Sequence, residues 1–228
     1  MSFMHKACNT GDLDNLKLSI KQGADISEVN HNGFDALAAA VHHGHAHIVN
    51  YLLSIGSDPN REVPHRYSEY GGDTPLILAS SETANYEIVQ QLISAGVNIN
   101  HKSTQGLTAL HTAVTYIHTS IVKLLLLNGA DPNLKNKNGS TALHIAVITH
   151  HPEIVELLIQ HGARLNEQNI YGRTPLISTI CFQKGCQAYI TANQLLLAGA
   201  DPNIQDNQGK RAIQFTDCAH IKKLLENC

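Results

Sequence analysis

The chain has no tryptophan, and aromatic residues make up only 5% of its 228 residues. A single thick core usually draws on such rings, so thin layers of Leu, Ile, Val and Ala are the expected interior. No stretch approaches the roughly 20 apolar residues of a membrane span. The start, Met1-Ser-Phe-Met-His-Lys-Ala-Cys, has no apolar run followed by a small-residue cleavage site, so a soluble, unprocessed chain is expected. Lys and Arg total 16 against 19 Asp and Glu, and they are scattered. With a net charge of −3 and no basic stripe, nucleic acid is not an expected partner. The five cysteines (Cys8, Cys181, Cys186, Cys218, Cys228) are odd in number and lack a paired framework. They read as free thiols in a reducing compartment, and Cys181-x4-Cys186 is wider than the common zinc or redox pairs. A Gly-x-Ser-x-Gly elbow, a Walker-type Gly-Lys-Ser/Thr and a His-Glu-x-x-His pair are all missing. The sequence therefore assigns no catalytic residue, no metal ligand and no cofactor.

What is present is a phrase that recurs: Leu-Leu-x-x-Gly-Ala-Asp-Pro-Asn, followed about ten residues later by Gly-x-Thr-Ala-Leu-His. The clearest copy runs from Leu125 to His144. Helix-closing glycines fall at Gly23, Gly56, Gly96, Gly129, Gly162 and Gly199, with spacings of 33, 40, 33, 33 and 37. Turn glycines at Gly33, Gly72, Gly106, Gly139, Gly172 and Gly209 step by 39, 34, 33, 33 and 37. Two independent markers agree on a 33-residue unit with a few insertions, which means a stack of like units.

That period, together with Thr108-Ala109-Leu110-His111, Thr74-Pro75-Leu76 and Thr174-Pro175-Leu176, resembles the ankyrin repeat family over essentially the whole chain. The resemblance implies an all-α solenoid of helix-turn-helix units joined by hairpin-like turns, about seven in number. As one domain over 1–228, it divides into an N-terminal cap (1–29), five central repeats (30–206) and a C-terminal cap (207–228). The first cap keeps Ala7, Gly11, Leu16, Ile20 and Gly23 but lacks the Thr-Pro-Leu opening. The last keeps Gly209, Ala212, Ile213, Ile221, Leu224 and Leu225 and adds charges that suit a solvent-facing end layer.

Within one unit the residues explain themselves. Gly139 permits a positive-φ turn, and Thr141 is a good N-cap. Pro75 and Pro175 sit where a helix can do without an N–H. Leu143, Ala146 and Val147 mark one buried face, and Ile154, Val155, Leu157 and Leu158 another. Gly162 closes the second helix as a left-handed cap. Two units exceed the period. Residues 61–71 lengthen one inter-repeat turn, and four extra residues lie within Cys181–Ile190. Insertions in repeat proteins map to loops on one face, often the binding face.

Fifteen histidines invite a chemical reading. His111 and His144 hold one repeat position and His45, His118 and His151 another, so these five are expected to be structural. The denser run His42-His43-Gly44-His45-Ala46-His47 carries the alternative reading, a metal-dependent protein or enzyme. No cysteine or carboxylate ligand adjoins it, and structural zinc wants four closed ligands.

In this family the binding face is built from turn tips and the exposed ends of the first helices. Carried onto this sequence, those positions give His31, Phe34, His43, Tyr70, Leu107, Tyr116, Ile148, Tyr171, Arg173 and Phe182 as partner-binding residues. Several are apolar or aromatic where a solvated surface would be polar. Asn60, Asn133 and Asn203 each follow Asp by two residues and Leu by eight. The resemblance makes them candidate asparaginyl-hydroxylation sites, while Asp-Pro-Asn also simply makes a turn. The expected function is a non-enzymatic adaptor, scaffold or inhibitor that binds a protein through its concave groove and turn tips, as a monomer in the cytoplasm. Lys exceeds Arg by 11 to 5, a bias compatible with a bacterial effector in a host cytosol. A eukaryotic cytosolic adaptor fits nearly as well.

Overall fold

The computed structural model describes residues 2–64, 71–82, 84–182 and 186–226, without the side chains of 186 and 187. Among the described residues the chain is all-helical, with thirteen α-helices and one 3-10 turn. It forms two compact units, 1–130 and 131–228.

The first unit contains α1 (Phe3–Thr10), α2 (Leu13–Lys21), α3 (Ala36–His42), α4 (Ala46–Ser54), α5 (Pro75–Ala79), α6 (Tyr86–Ser94), α7 (Ala109–Thr115) and α8 (Thr119–Leu127). Each consecutive pair is an antiparallel hairpin. The first helices stack in the order α1, α3, α5, α7, and the second helices α4, α6 and α8 stack alongside. Leu37, Ile48, Leu52, Leu76, Ile88, Leu92, Leu110 and Leu125 are all buried between layers. Each such side chain contributes roughly 1.5–3 kcal/mol on burial. A lone hairpin cannot bury both of its faces, so stacking supplies the core.

The second unit contains α9 (Ala142–Ile148), α10 (Pro152–Gln160), α11 (Pro175–Phe182), α12 (Cys186–Leu197), the 3-10 turn Ala212–Phe215 and α13 (Ala219–Glu226). Here α9 packs on α11 and α11 on the 3-10 turn, while α10 packs on α12 and α12 on α13. The last layer is thus a shortened hairpin whose first helix has shrunk to a 3-10 turn.

All twelve marker glycines have positive φ, as a cap or turn position requires. The turn between the two helices of a unit needs the same backbone. Gly11 (φ 76°) and Gly44 (φ 77°) supply it without strain, but Ile117 (φ 64°) and His150 (φ 62°) fill the same place in later units. A β-branched residue there is a genuine outlier.

The first unit opens differently from the sequence expectation. Ser2 caps α1, its Oγ 2.7 Å from His5 Nδ1 and accepting from His5 N–H, and His5 Nε2 lies 3.1 Å from the Phe34 carbonyl. Ser2-Phe3-Met4-His5 therefore makes the contacts of a Thr-x-Leu-His opening in a cap that has no Thr-Pro-Leu.

Candidate functional site

The turn that carries the candidate surface is fixed by two sets of bonds. Thr108 and Thr141 cap α7 and α9, and His111 and His144 reach back to them. In the second unit the Thr141 N–H donates to His144 Nδ1 at 3.2 Å, with the hydroxyl 2.9 Å away. Nδ1 is then the acceptor, so Nε2 carries the proton and donates to the Arg173 carbonyl at 3.0 Å. Burial holds the His144 imidazole below its ordinary range, which keeps it neutral for this task.

The second set is a ladder of asparagines. Asp58, Asp131 and Asp201 each accept, through Oδ1, from the N–H of Asn60, Asn133 and Asn203 at 2.8–2.9 Å, closing the Asp-Pro-Asn turn. The asparagine then reaches onward. Asn60 Oδ1 accepts from the Asn98 N–H at 2.7 Å in the first unit. Asn133 accepts from the Arg164 N–H at 2.7 Å and donates to the Gly162 carbonyl at 3.1 Å in the second. Asn166 accepts from the Asp201 N–H at 2.9 Å. The three candidate hydroxylation residues are thus engaged in the turns, Asn203 through Arg211 Nη1 at 3.3 Å.

Histidines of the dense run are likewise engaged. His43 Nδ1 lies 2.9 Å from the Ala39 carbonyl, His45 Nε2 2.9 Å from Asn9 O, and His47 Nε2 2.9 Å from Gly11 O. His42 tilts against the Phe34 ring with centroids 5.1 Å apart. His118 repeats the His45 contact, its Nε2 2.9 Å from Ser81 O. His45, His47 and His118 tie their hairpins to the preceding ones while His43 bonds back within its own helix, so these nitrogens do not converge on a point. Among the described residues no cluster of three or more His, Cys, Asp or Glu is arranged to hold a metal ion.

The ten partner-binding candidates separate. Phe34 is a correction. At 1% exposure it belongs to the core, because the first hairpin covers the position after the turn glycine and His5 and His42 close over it. Tyr70 lies outside the described residues, as does the 65–70 part of the 61–71 insertion. That insertion's two ends meet through Val63 N–H to Asp73 O at 2.9 Å and Gly72 N–H to Val63 O at 2.8 Å. In the first unit His31, His43 and Tyr116 are exposed and Leu107 is half-buried. Tyr116 stacks on His118 beside the strained Ile117. In the second unit Ile148, Tyr171 and Phe182 are exposed, the last two at 59% and 52%.

Tyr171, Arg173 and Phe182 come together. The Arg173 guanidinium carbon sits 5.7 Å from the Tyr171 centroid and 5.9 Å from that of Phe182. Sequence reasoning missed a third wall, Phe215, 5.7 Å away, and Lys210 beside it. The signal was available, since Lys210 follows Gly209 as Arg173 follows Gly172. Elsewhere, burial pushes the Asp73 carboxyl up to about 7 against a hydrogen bond from Ser103. Burial likewise raises the Cys8 thiol to about 12, which makes it inert. Cys8, Cys181 and Cys218 are free thiols, while the Cys186 side chain and Cys228 lie outside the description. No helix among the described residues is long and apolar enough to cross a membrane.

A family model described as ankyrin repeats (3 copies) matches residues 3–103, 63–136 and 110–206. A putative ankyrin repeat protein of fowlpox virus, FPV223, is 31% identical over 133 residues, 47% of this chain and 94% of its own length. Alpha-latrocrustotoxin-Lt1a of Latrodectus tredecimguttatus is 30% identical over 121 residues, and the match covers 52% of this chain but only 8% of the toxin. Among solved structures, the ankyrin repeat domain of Bcl-3, a member of the IkappaB protein family, superimposes with a TM-score of 0.85 at 25% identity. That match covers 99% of this chain and 98% of that one. The human ASB11 ankyrin repeat domain, at 24% identity and a TM-score of 0.80, shares the fold.

Proposed function

The chain belongs to the ankyrin repeat family, and we propose on that premise that it is a non-enzymatic interaction module. It binds a protein partner through the groove face and turn tips of its repeats. Ankyrin repeats generally mediate protein–protein interaction. The observation that carries the proposal here is the exposure of Tyr116 in one unit and of Ile148, Tyr171 and Phe182 in the other, at turn tips and first-helix ends. Rigid exposed aromatics on a preformed scaffold bind with little loss of conformational freedom.

The test is affinity capture with mass-spectrometric readout, comparing wild type with Tyr116→Ala and Phe182→Ala variants that match it in thermal melting. A partner held by wild type and lost from either folded variant supports the reading. Equal retention of every partner by both variants moves the interface off these residues.

The finer assignments follow from the same reading. The module works as a monomer in the cytoplasm, as an adaptor, scaffold or inhibitor, or in a host cytosol as a bacterial effector. The Lys-to-Arg bias supports the effector setting. Light scattering in solution tests the monomer. Asn60, Asn133 and Asn203 are proposed substrates of an asparaginyl hydroxylase, and intact-mass measurement after exposure to that enzyme decides by the presence or absence of added oxygen.

A further inference from the structure

Arg173 directly follows the turn glycine Gly172, and Lys210 follows Gly209 one unit on. The Arg173 guanidinium lies over the rings of Tyr171, Phe182 and Phe215, and the Lys210 ammonium sits 5.7 Å from the centroid of the same Phe215 ring. Two cations of one unit therefore converge on a single aromatic side chain.

Among the described residues no carboxylate is within ion-pair distance of either cation. Asp206, in the neighbouring turn, directs Oδ1 to the backbone N–H groups of Gln208 and Lys210. Arg173 Nε is buried and makes no hydrogen bond. The rings lie beside the guanidinium, and with Nε buried the Nη groups are the donors left for a ligand. A guanidinium with free Nη donors is the group that pairs with a carboxylate through two parallel hydrogen bonds. Tyr171 and Phe182, both more than half exposed, add apolar surface beside it.

We propose that the Arg173–Lys210 patch docks an acidic peptide segment of the partner, one that carries Asp or Glu next to an apolar or aromatic side chain. The inference rests on the interaction-module reading and adds the chemistry of the ligand. Charge complementarity selects the acid, and the exposed rings select its apolar neighbour. Among the described residues the patch is walled by the rings of Tyr171, Phe182 and Phe215 and by no cation beyond Arg173 and Lys210. That suits a singly charged carboxylate more than a doubly charged phosphoryl group.

Random peptides displayed on phage are selected on the whole chain, and the most enriched is measured by fluorescence anisotropy against wild type, Arg173→Gln and Arg173→Lys. The expected sequences pair Asp or Glu with an apolar residue. Acid-to-amide exchange in the peptide and Arg173→Gln in the protein should each weaken binding by roughly tenfold or more. Together they should weaken it little further, and Arg173→Lys should recover only part. If Arg173→Gln melts below wild type, Lys210→Gln carries the same comparison.

Peptides that bind equally well to Arg173→Gln or to the Lys210→Gln fallback, or after the acid-to-amide exchange, overturn the inference. So does tighter binding of a phosphoserine peptide than of its Glu counterpart, and so does a selection that enriches nothing. The interaction-module reading survives any of these as long as affinity capture with the Tyr116→Ala and Phe182→Ala variants stands.

Discussion

His144 and Arg173 are joined through one imidazole: Nε2 donates to the Arg173 carbonyl at 3.0 Å, 29 positions along the chain, while Nδ1 accepts from the Thr141 N–H. Protonating Nδ1 destroys the second bond. The folded-state pKa is depressed below the ordinary 6.5 by burial, so the unfolded chain binds the proton first. The stability from this clasp is present above about 6.5 and is lost as pH falls through the depressed value. His144→Ala should cost about 1–3 kcal/mol at neutral pH, because it orphans a buried donor and an acceptor. It should also flatten the acid limb of a denaturant-melt series; an unchanged limb would refute the assignment.

Asp73 runs the other way. Its carboxyl is raised from 3.8 to about 7 by burial, so the folded state holds the proton more tightly. Stability is greatest below the unfolded value and declines as pH rises through about 7. Asp73→Asn, which keeps an acceptor for Ser103, should raise the melting temperature at mildly alkaline pH and change it little in acid.

Ile117 bears a left-handed backbone, φ 64°, where Gly11 and Gly44 stand in earlier hairpins. Such a conformation costs a side-chain-bearing residue about 1–2 kcal/mol, and glycine's extra unfolded-state freedom offsets about half of that. Ile117→Gly should therefore stabilise the chain slightly, by up to about 1 kcal/mol, in urea titration. A net loss would show that Ile117 packs more strongly than its 41% exposure suggests.

Two glycines of like φ should respond unequally to alanine. At Gly172 (φ 71°) a Cβ would lie 2.5 Å from the Asn207 nitrogen and 2.9 Å from the Asp206 carbonyl carbon, whereas at Gly129 (φ 90°) it meets nothing within 4 Å. Gly129→Ala pays for the backbone alone, about 1–2 kcal/mol. Gly172→Ala must also displace the adjoining turn, so its loss should be clearly the larger of the two in paired melts.

Removal of residues 207–228 strips α13 from α12 and the 3-10 turn from α11, uncovering the faces of α11 and α12 that they pack against. Aggregation on size exclusion is the expected outcome. A monomeric truncation as stable as wild type would remove the capping role.

Periodic features were readable in the sequence. The twelve glycines, Thr141, Pro75 and Pro175 do what their chemistry dictates wherever they recur. The misses are of two kinds. Ser2-Phe3-Met4-His5 was overlooked because function there needs only a hydroxyl and an imidazole three residues apart, not the letters Thr and Leu. Phe34 was misplaced because exposure depends on what an adjoining hairpin covers, and one-dimensional position cannot report that. The Arg173 box was half visible: Tyr171 and Phe182 are near in sequence, whereas Phe215 arrives only through stacking of α11 on the 3-10 turn.

The asparagine rungs have a mechanical consequence. Asn60, Asn133 and Asn166 each bond to the backbone of the following turn, so tension applied to a chain end loads one rung before the next. Within each unit such a molecule should peel under force in small successive steps from its terminus, each rupture leaving the interior hairpins intact.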